Sequence, residues 1–159
     1  MSGKKFGVLF VCTGNICRSP TAEAIFRKLA ADAGMAEAVV ADSAGTHGYH
    51  VGEPPDTRAQ KAAAKRGYDL SGLRARRIED ADFQRFDLIL AMDQDHYAIL
   101  ARSGGSSAGH KLKLMMSYAQ RFKERDVPDP YYGGPQGFER VLDLLEDAAS
   151  GLLKSLRKD

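Results

Sequence analysis

The sequence predicts an α/β fold, a three-layer sandwich with a central four-stranded parallel sheet flanked by helices, and three observations support this. Short continuous apolar runs alternate with longer segments of helical periodicity. The runs are apolar at successive positions, as strands covered by helices on both faces of a parallel sheet must be. No repeat or linker interrupts the alternation, and 159 residues suit one domain spanning 1–159.

Phe6–Cys12 is the first such run, and Thr13-Gly14-Asn15 ends it with turn chemistry. From Pro20 to Ala33 the pattern turns helical, with Ala22, Ile25, Phe26, Leu29 and Ala30 on one face. Ser19-Pro20 opens that helix, because proline is favoured in the first turn, and Gly34 is its stop. Ala38–Ala41 reads as a second strand ending at Asp42-Ser43. Thr57–Arg66 is a helix closed by Gly67, and Asp87–Met92 is a third buried strand. A helix from about Asp95 to Ala101 follows, and Ser103–Ser107 is a short surface loop. Lys111–Met115 is the fourth strand. Pro135–Leu156 is a long amphipathic helix whose stripe is Phe138, Val141, Leu142, Leu145, Ala149, Leu152 and Leu156. Ligands of such sheets sit at the carboxyl ends of the strands, so Cys12, Ser43 and Met92-Asp93 are expected at one edge.

Composition excludes several classes of function. Hydrophobic residues make up 43% and charged residues 28%, which excludes disordered, collagen-like and coiled-coil chains. A net charge of +2 is too small to imply nucleic-acid binding. No apolar run reaches the roughly 20 residues that span a membrane, and the basic start has no cleavage signal after it. The two cysteines, Cys12 and Cys17, are too few for a disulfide framework. The expectation is a soluble domain of a reducing compartment, cytoplasmic, with neither nucleic acid nor membrane as partner.

The informative segment joins the first strand to the first helix: Cys12-Thr13-Gly14-Asn15-Ile16-Cys17-Arg18-Ser19. A loop of this length can curl until its backbone N–H groups converge on one point, a nest for an anion. The helix that follows adds its orphan donors and the positive end of its dipole. Arg18 offers a planar fork to two oxygens of a tetrahedral oxyanion. Gly14 permits unusual backbone angles, and Asn15 tolerates the left-handed region. The same field favours the thiolate form of Cys12 behind a bound phosphate, and Ser19 can donate its hydroxyl to that sulfur. A thiolate attacking a phosphate monoester needs a general acid for the leaving oxygen. Val127-Pro128-Asp129-Pro130-Tyr131-Tyr132 is the best source. Prolines fix the backbone around Asp129, and Tyr131 and Tyr132 can wall a slot for an aromatic ring. Alone, the same segment would read as an ordinary Pro-Asp-Pro turn.

These residues resemble the low-molecular-weight protein tyrosine phosphatases over essentially the whole chain. The resemblance is carried by C-T-G-N-I-C-R-S-P from Cys12, D-S-A-G from Asp42, A-M-D at Ala91–Asp93 and D-P-Y-Y from Asp129. It implies a cysteinyl-phosphate intermediate, with Cys12 as nucleophile, Arg18 holding the phosphate and Asp129 as general acid and then base. It implies phosphate binding and loop support by Thr13, Gly14, Asn15, Ile16, Cys17, Ser19 and Ser43, with Thr13 at the rim. It also implies pocket walls of Tyr49 facing Tyr131 and Tyr132, no metal and no cofactor. The partners implied are a tyrosine-phosphorylated protein, inorganic phosphate as product, and a tyrosine kinase as a further candidate.

Two departures from the family pattern stand out. A histidine common before the basic A-R segment is here Leu73, and an asparagine common three residues after M-D is here His96. Cys17 has two readings: a residue facing the helix start, or a reversible disulfide partner of Cys12. His47, His50, His96 and His110 lack metal-ligand spacing. Lys61, Lys65, Arg66, Arg74, Arg76 and Arg77 read as a solvated basic face, with docking of an acidic phosphoprotein or an anionic membrane as the alternative. Competing functions are an arsenate reductase of the same fold, which needs further cysteines that this chain lacks, and a non-catalytic phosphotyrosine-binding module, which would have no use for Asp129.

Overall fold

The computed structural model describes residues 5–131 and 134–157. Its strands are β1 (Phe6–Cys12), β2 (Val39–Gly45), β3 (Leu88–Ala91) and β4 (Leu112–Leu114). Its helices are α1 (Arg18–Asp32), α2 (Thr57–Lys65), α3 (Asp82–Arg85), α4 (Gln94–Gly104) and α5 (Pro135–Leu156). The strands form one sheet in the order β2-β1-β3-β4, every neighbouring pair parallel. The chain therefore leaves β1 towards β2 and returns past it to β3. The crevice at the carboxyl end of β1 is the place where strand order reverses, the usual ligand site of such sheets.

β1 is central, and Val8, Leu9, Phe10 and Val11 are wholly buried. Because side chains alternate across a strand, Val8, Phe10 and Cys12 face α1, α2 and α5 on one side. Leu9 and Val11 face α3 and α4 on the other. Phe10 and Phe26 meet with ring centroids 5.7 Å apart at 58°, a tilted pair worth about 1 kcal/mol beyond its burial. It ties β1 to α1 and so positions the loop between them.

Several elements differ from their predicted extents. β2 runs on to Gly45, since it pairs residue by residue with β1 from Phe6↔Val39 to Cys12↔Gly45. Ser43 thus lies inside the strand, opposite Phe10, rather than at its end. α1 begins at Arg18, two residues before Pro20, because the Cys17 carbonyl already accepts from the Thr21 amide and hydroxyl. The stretch expected as a loop at Ser103–Ser107 is the last turn of α4 followed by a 3-10 turn at Gly105–Ser107. The short α3 had no periodicity long enough to announce it. Nor is the basic stretch uniformly solvated: Arg66 pairs with Glu139, Asp143 and Glu146, and Arg76 with Asp42 and Asp82.

Candidate active site

Cys12 ends β1, and the chain beyond it curls against the end of β2. The Thr46 amide donates to the Cys12 carbonyl at 2.8 Å and the His47 amide to the Thr13 carbonyl at 3.0 Å. A Cβ at Gly45 would lie 2.7 Å from the Thr13 oxygen and 2.9 Å from the His47 oxygen, so only glycine lets the two segments close. Asn15, at φ 60°, is the sole non-glycine residue with positive φ among the described residues. This left-handed residue turns the loop, a backbone conformation in which successive amides can converge on one point. No hydrogen bond among the described residues uses the amides of Gly14 to Arg18. They lie at the amino end of α1, where helix geometry favours an anion.

Beneath the loop, a chain of hydrogen bonds has its direction fixed. The Arg76 amide can only donate, and it lies 3.0 Å from the Asn15 oxygen Oδ1. The Asn15 amide nitrogen must then face the hydroxyls, at 2.8 Å from Ser19 Oγ and 3.0 Å from Ser43 Oγ. Each serine accepts from Asn15 and keeps its own proton to give onward. Ser43 gives it to Glu23 at 2.7 Å. Ser19 Oγ lies 2.9 Å from Cys12 Sγ, and the Ser19 amide lies 3.4 Å from the same sulfur. Two donors therefore converge on Cys12. Glu23 is buried, and that burial raises its carboxyl pKa against the opposing pull of Ser43 and Arg27.

Arg18 is buried, and its fork is already oriented. One nitrogen donates to Asp93 Oδ2 and to the Val127 carbonyl, both at 2.9 Å. Asp93 caps α4 through its other oxygen, accepting from the His96 amide at 2.9 Å. The buried ring of His96 places Nε2 2.7 Å from Thr13 Oγ1, and Nδ1 3.1 Å from Asp93 Oδ1 without alignment for a hydrogen bond. Burial, then the Arg18 charge, push the His96 pKa down to about 4. The neutral ring thus links the rim at Thr13 to the residue that holds Arg18.

Opposite the loop, the Val127 amide donates to the Met92 carbonyl at 2.8 Å, anchoring the segment that carries Asp129. Asp129 Oδ1 accepts from the Tyr131 amide at 3.0 Å, and Oδ2 lies 3.8 Å from Arg18. Cys12, Thr13, Gly14, Ile16, Cys17, Arg18, Asp129, Tyr131 and Tyr49 all line one cavity of about 250 Å³. Tyr49 stacks on His47 with centroids 5.0 Å apart at 7°. Tyr132 lies outside the described residues. Asn15, Ser19 and Ser43 sit below the cavity as its support. Among the described residues no group of three His, Cys, Asp or Glu side chains could hold a metal ion, and no helix is long and apolar enough to cross a membrane.

A family model described as low molecular weight phosphotyrosine protein phosphatase matches residues 7–159. The chain belongs to that family. It is accordingly a protein tyrosine phosphatase. A Streptomyces coelicolor low molecular weight protein-tyrosine-phosphatase is 46% identical over 156 residues, 96% of this chain and 94% of that one. The crystal structure of a protein tyrosine phosphatase from Entamoeba histolytica, with Hepes in its active site, superposes with a TM-score of 0.93. It is 42% identical and the match covers 96% of this chain and 97% of that one. A Drosophila protein described as an arginine phosphatase superposes with a TM-score of 0.87 at 33% identity, over 96% of this chain and 98% of that one.

Within this phosphatase, the two departures resolve differently. Leu73 packs against the core, and the Arg76 backbone amide supplies the donor that Asn15 receives. His96 occupies a buried polar position and ties it to Thr13. Cys17 caps the start of α1, its thiol among side chains of α1, α2 and α5. Burial, then the nearby Asp56, push that thiol up to about 12. Sequence reasoning placed Met92-Asp93 at the ligand edge without giving Asp93 a role, and it did not single out Glu23 or His50. His50 lines the cavity over Gly14, its ring turned to Glu53 at 2.9 Å. Glu23 had only its i,i+4 pairing with Arg27 to mark it, which reads as an ordinary surface pair rather than a buried acid under the loop.

Proposed function

We propose that this phosphatase hydrolyses phosphotyrosine in proteins, and small aryl phosphates, through a cysteinyl-phosphate at Cys12. The phosphate dianion docks on the amides of Gly14 to Arg18 and on the Arg18 fork. The Cys12 sulfur attacks phosphorus as the bond to the aryl oxygen breaks. Asp129 gives its proton to that leaving oxygen. Water then attacks the phosphorus while Asp129, now a carboxylate, takes its proton. The sulfur–phosphorus bond breaks, and inorganic phosphate leaves. The returning sulfur charge is received by the Ser19 hydroxyl and amide.

The observation that carries this reading is the one-way hydrogen-bond chain from Arg76 through Asn15 and Ser19 to Cys12 Sγ, in the cavity that Arg18 and Asp129 share. A binding module needs no donors aimed at a sulfur. Arsenate reduction would need cysteines beyond Cys12 and Cys17, and the chain has two in all. A flat aryl ring suits the space between Tyr49 and Tyr131, where a short alkyl phosphate would stop far from Cys12. We place the protein in the cytoplasm, where Cys12 and Cys17 stay reduced, with phosphotyrosine proteins and the tyrosine kinases that make them as its partners.

Turnover of an aryl phosphate, a phosphotyrosine peptide, a phosphoserine peptide and a phosphoarginine peptide is the test, in wild type, Cys12→Ser and Asp129→Asn. Aryl and phosphotyrosine turnover are expected, both abolished in Cys12→Ser. Asp129→Asn should slow esters with poor leaving groups far more than those with good ones. Undiminished activity in Cys12→Ser would sink the mechanism, and a preference for phosphoarginine would sink the substrate assignment.

A further inference from the structure

A groove of about 240 Å³ lies beside the candidate active site, between α2 and the start of α5. Its floor is apolar, formed by Ala62, Pro135 and Phe138, and its lip carries Arg58, Lys61 and Lys65. These three cations project from one side of α2, being three and four residues apart. Arg58 is engaged already, clasped by Asp56 at 2.9 and 3.1 Å. Its guanidinium lies 5.2 Å from the Tyr131 ring centroid and 5.0 Å from that of Phe138. It therefore bridges a wall of the phosphate cavity to the floor of the groove, and the two depressions adjoin. Lys61 and Lys65 are exposed and have no ion-pair partner among the described residues. Arg66, next to Lys65, has three. Glu139 also lines the groove, but its carboxylate is met by Arg66 at 2.8 Å. The net field of the groove is positive over an apolar floor.

We propose that this groove docks the substrate chain beside its phosphotyrosine, taking one apolar side chain on Phe138 and acidic side chains on Lys61 and Lys65. This rests on the phosphatase reading given above and names the class of phosphoprotein it acts on. Spacing follows from the geometry. The Tyr131 and Phe138 rings are no more than about 10 Å apart by way of Arg58, which an extended peptide covers in roughly three residues at ~3.4 Å each. Lys65 lies some 10 Å further along α2 than Arg58, at ~1.5 Å per residue. The apolar residue therefore falls within about three positions of the phosphotyrosine, and the acids within about six. Charge complementarity favours an acidic peptide here, and the apolar floor gives it a side-chain pocket that a lipid headgroup would leave empty.

The test compares kcat/KM for three substrates: a small aryl phosphate, a phosphotyrosine peptide with leucine three positions away followed by two glutamates, and its twin with glutamines. Both peptides are made with the motif on either side of the phosphotyrosine. In wild type, one orientation of the glutamate peptide should exceed its twin roughly tenfold, through KM, as two exposed ion pairs allow. In Lys61→Gln/Lys65→Gln the glutamate-to-glutamine ratio should fall to near one, and the advantage in wild type should shrink with added salt. An unchanged ratio in the double variant would overturn the proposal. So would binding to phosphatidylserine vesicles that the double variant loses while the peptide ratio stays, because the groove would then serve a membrane. Absence of aryl phosphate turnover in wild type would bring down the mechanism first and this inference with it, a failure distinct from insensitivity to the glutamates.

Discussion

Acidifying the medium from pH 7 towards pH 4.5 protonates His96 in the unfolded chain well before it does so in the folded one. In the unfolded chain the imidazole titrates near 6.5, whereas in the fold burial and the Arg18 charge hold it at about 4. Over that interval the unfolded state binds more protons, so stability rises with pH and is lost as pH falls from about 6.5 to about 4. At ~1.4 kcal/mol per unit, a shift from 6.5 to about 4 makes the full loss about 3 kcal/mol. Most of it should be reached by pH 4.5. Asp93, Asp95 and Asp129 pull the other way, and their pull is already contained in that value. Glu23 works with opposite sign: its raised carboxyl takes a proton in the fold first, so its contribution falls as pH climbs past its ordinary value. Urea unfolding of wild type and His96→Asn, measured in parallel from pH 7 to pH 4.5, cancels Glu23 and isolates the histidine. The wild type should lose about 2–3 kcal/mol more than the variant over that range. Parallel curves would show that His96 titrates normally and that the Thr13–His96–Asp93 link has been misread.

Two other outcomes test the loop and the packing. Ser19→Ala removes a donor to the Cys12 sulfur, and a hydrogen bond to a charged group is worth about 1.5–3 kcal/mol. The variant should slow hydrolysis of the cysteinyl-phosphate by roughly ten- to hundredfold. With a good leaving group a burst of phenolate equal to the enzyme should then precede the steady state. A slower rate with no burst would place the loss in the first step and refute the role given to Ser19. In α5, a Cβ at Gly151 would overlap the Tyr118 carbonyl oxygen. Gly151→Ala should lower stability by about 3 kcal/mol, as overpacking against backbone does. Gly72→Ala, where nothing lies within 4 Å, should stay close to wild type in the same urea titration.

The parts of the molecule legible in the sequence are those whose causes are local. Phe6–Cys12 shows as a strand because every side chain in it is apolar, and the phosphate loop shows because its residues are consecutive. The wall at Tyr131 was read from its place beside the Pro-Asp-Pro turn, whereas the wall at Tyr49 was reached only by resemblance. What escaped depends on pairing across the chain. The end of β2 is set by its pairing with β1 and not by its own sequence, whose apolar run stops before Asp42-Ser43. The Arg76 amide reaches Asn15 across 61 positions, and His96 reaches Thr13 across 83. No periodicity encodes such contacts. Arg66 looked like surface charge because its acidic partners on α5 lie far away in sequence. Arg76 has one distant partner, Asp42, and one only six residues on, Asp82, with no regular helix between to signal the pair.

Arg18 is held between Asp93 and Val127 before any ligand arrives. A free arginine gives up about 2 kcal/mol of rotamer entropy when it is ordered. Here that loss belongs to folding, and a ligand meets a rigid fork. Rigidity of this kind is indifferent to what the phosphate is attached to. On the proposed mechanism inorganic phosphate meets the same fork as the ester, and it should compete with substrate on simple terms. A cradle that welcomes every phosphate cannot choose among phosphoproteins. Selectivity has to reside outside it, in side chains that touch the rest of the substrate and never the phosphorus.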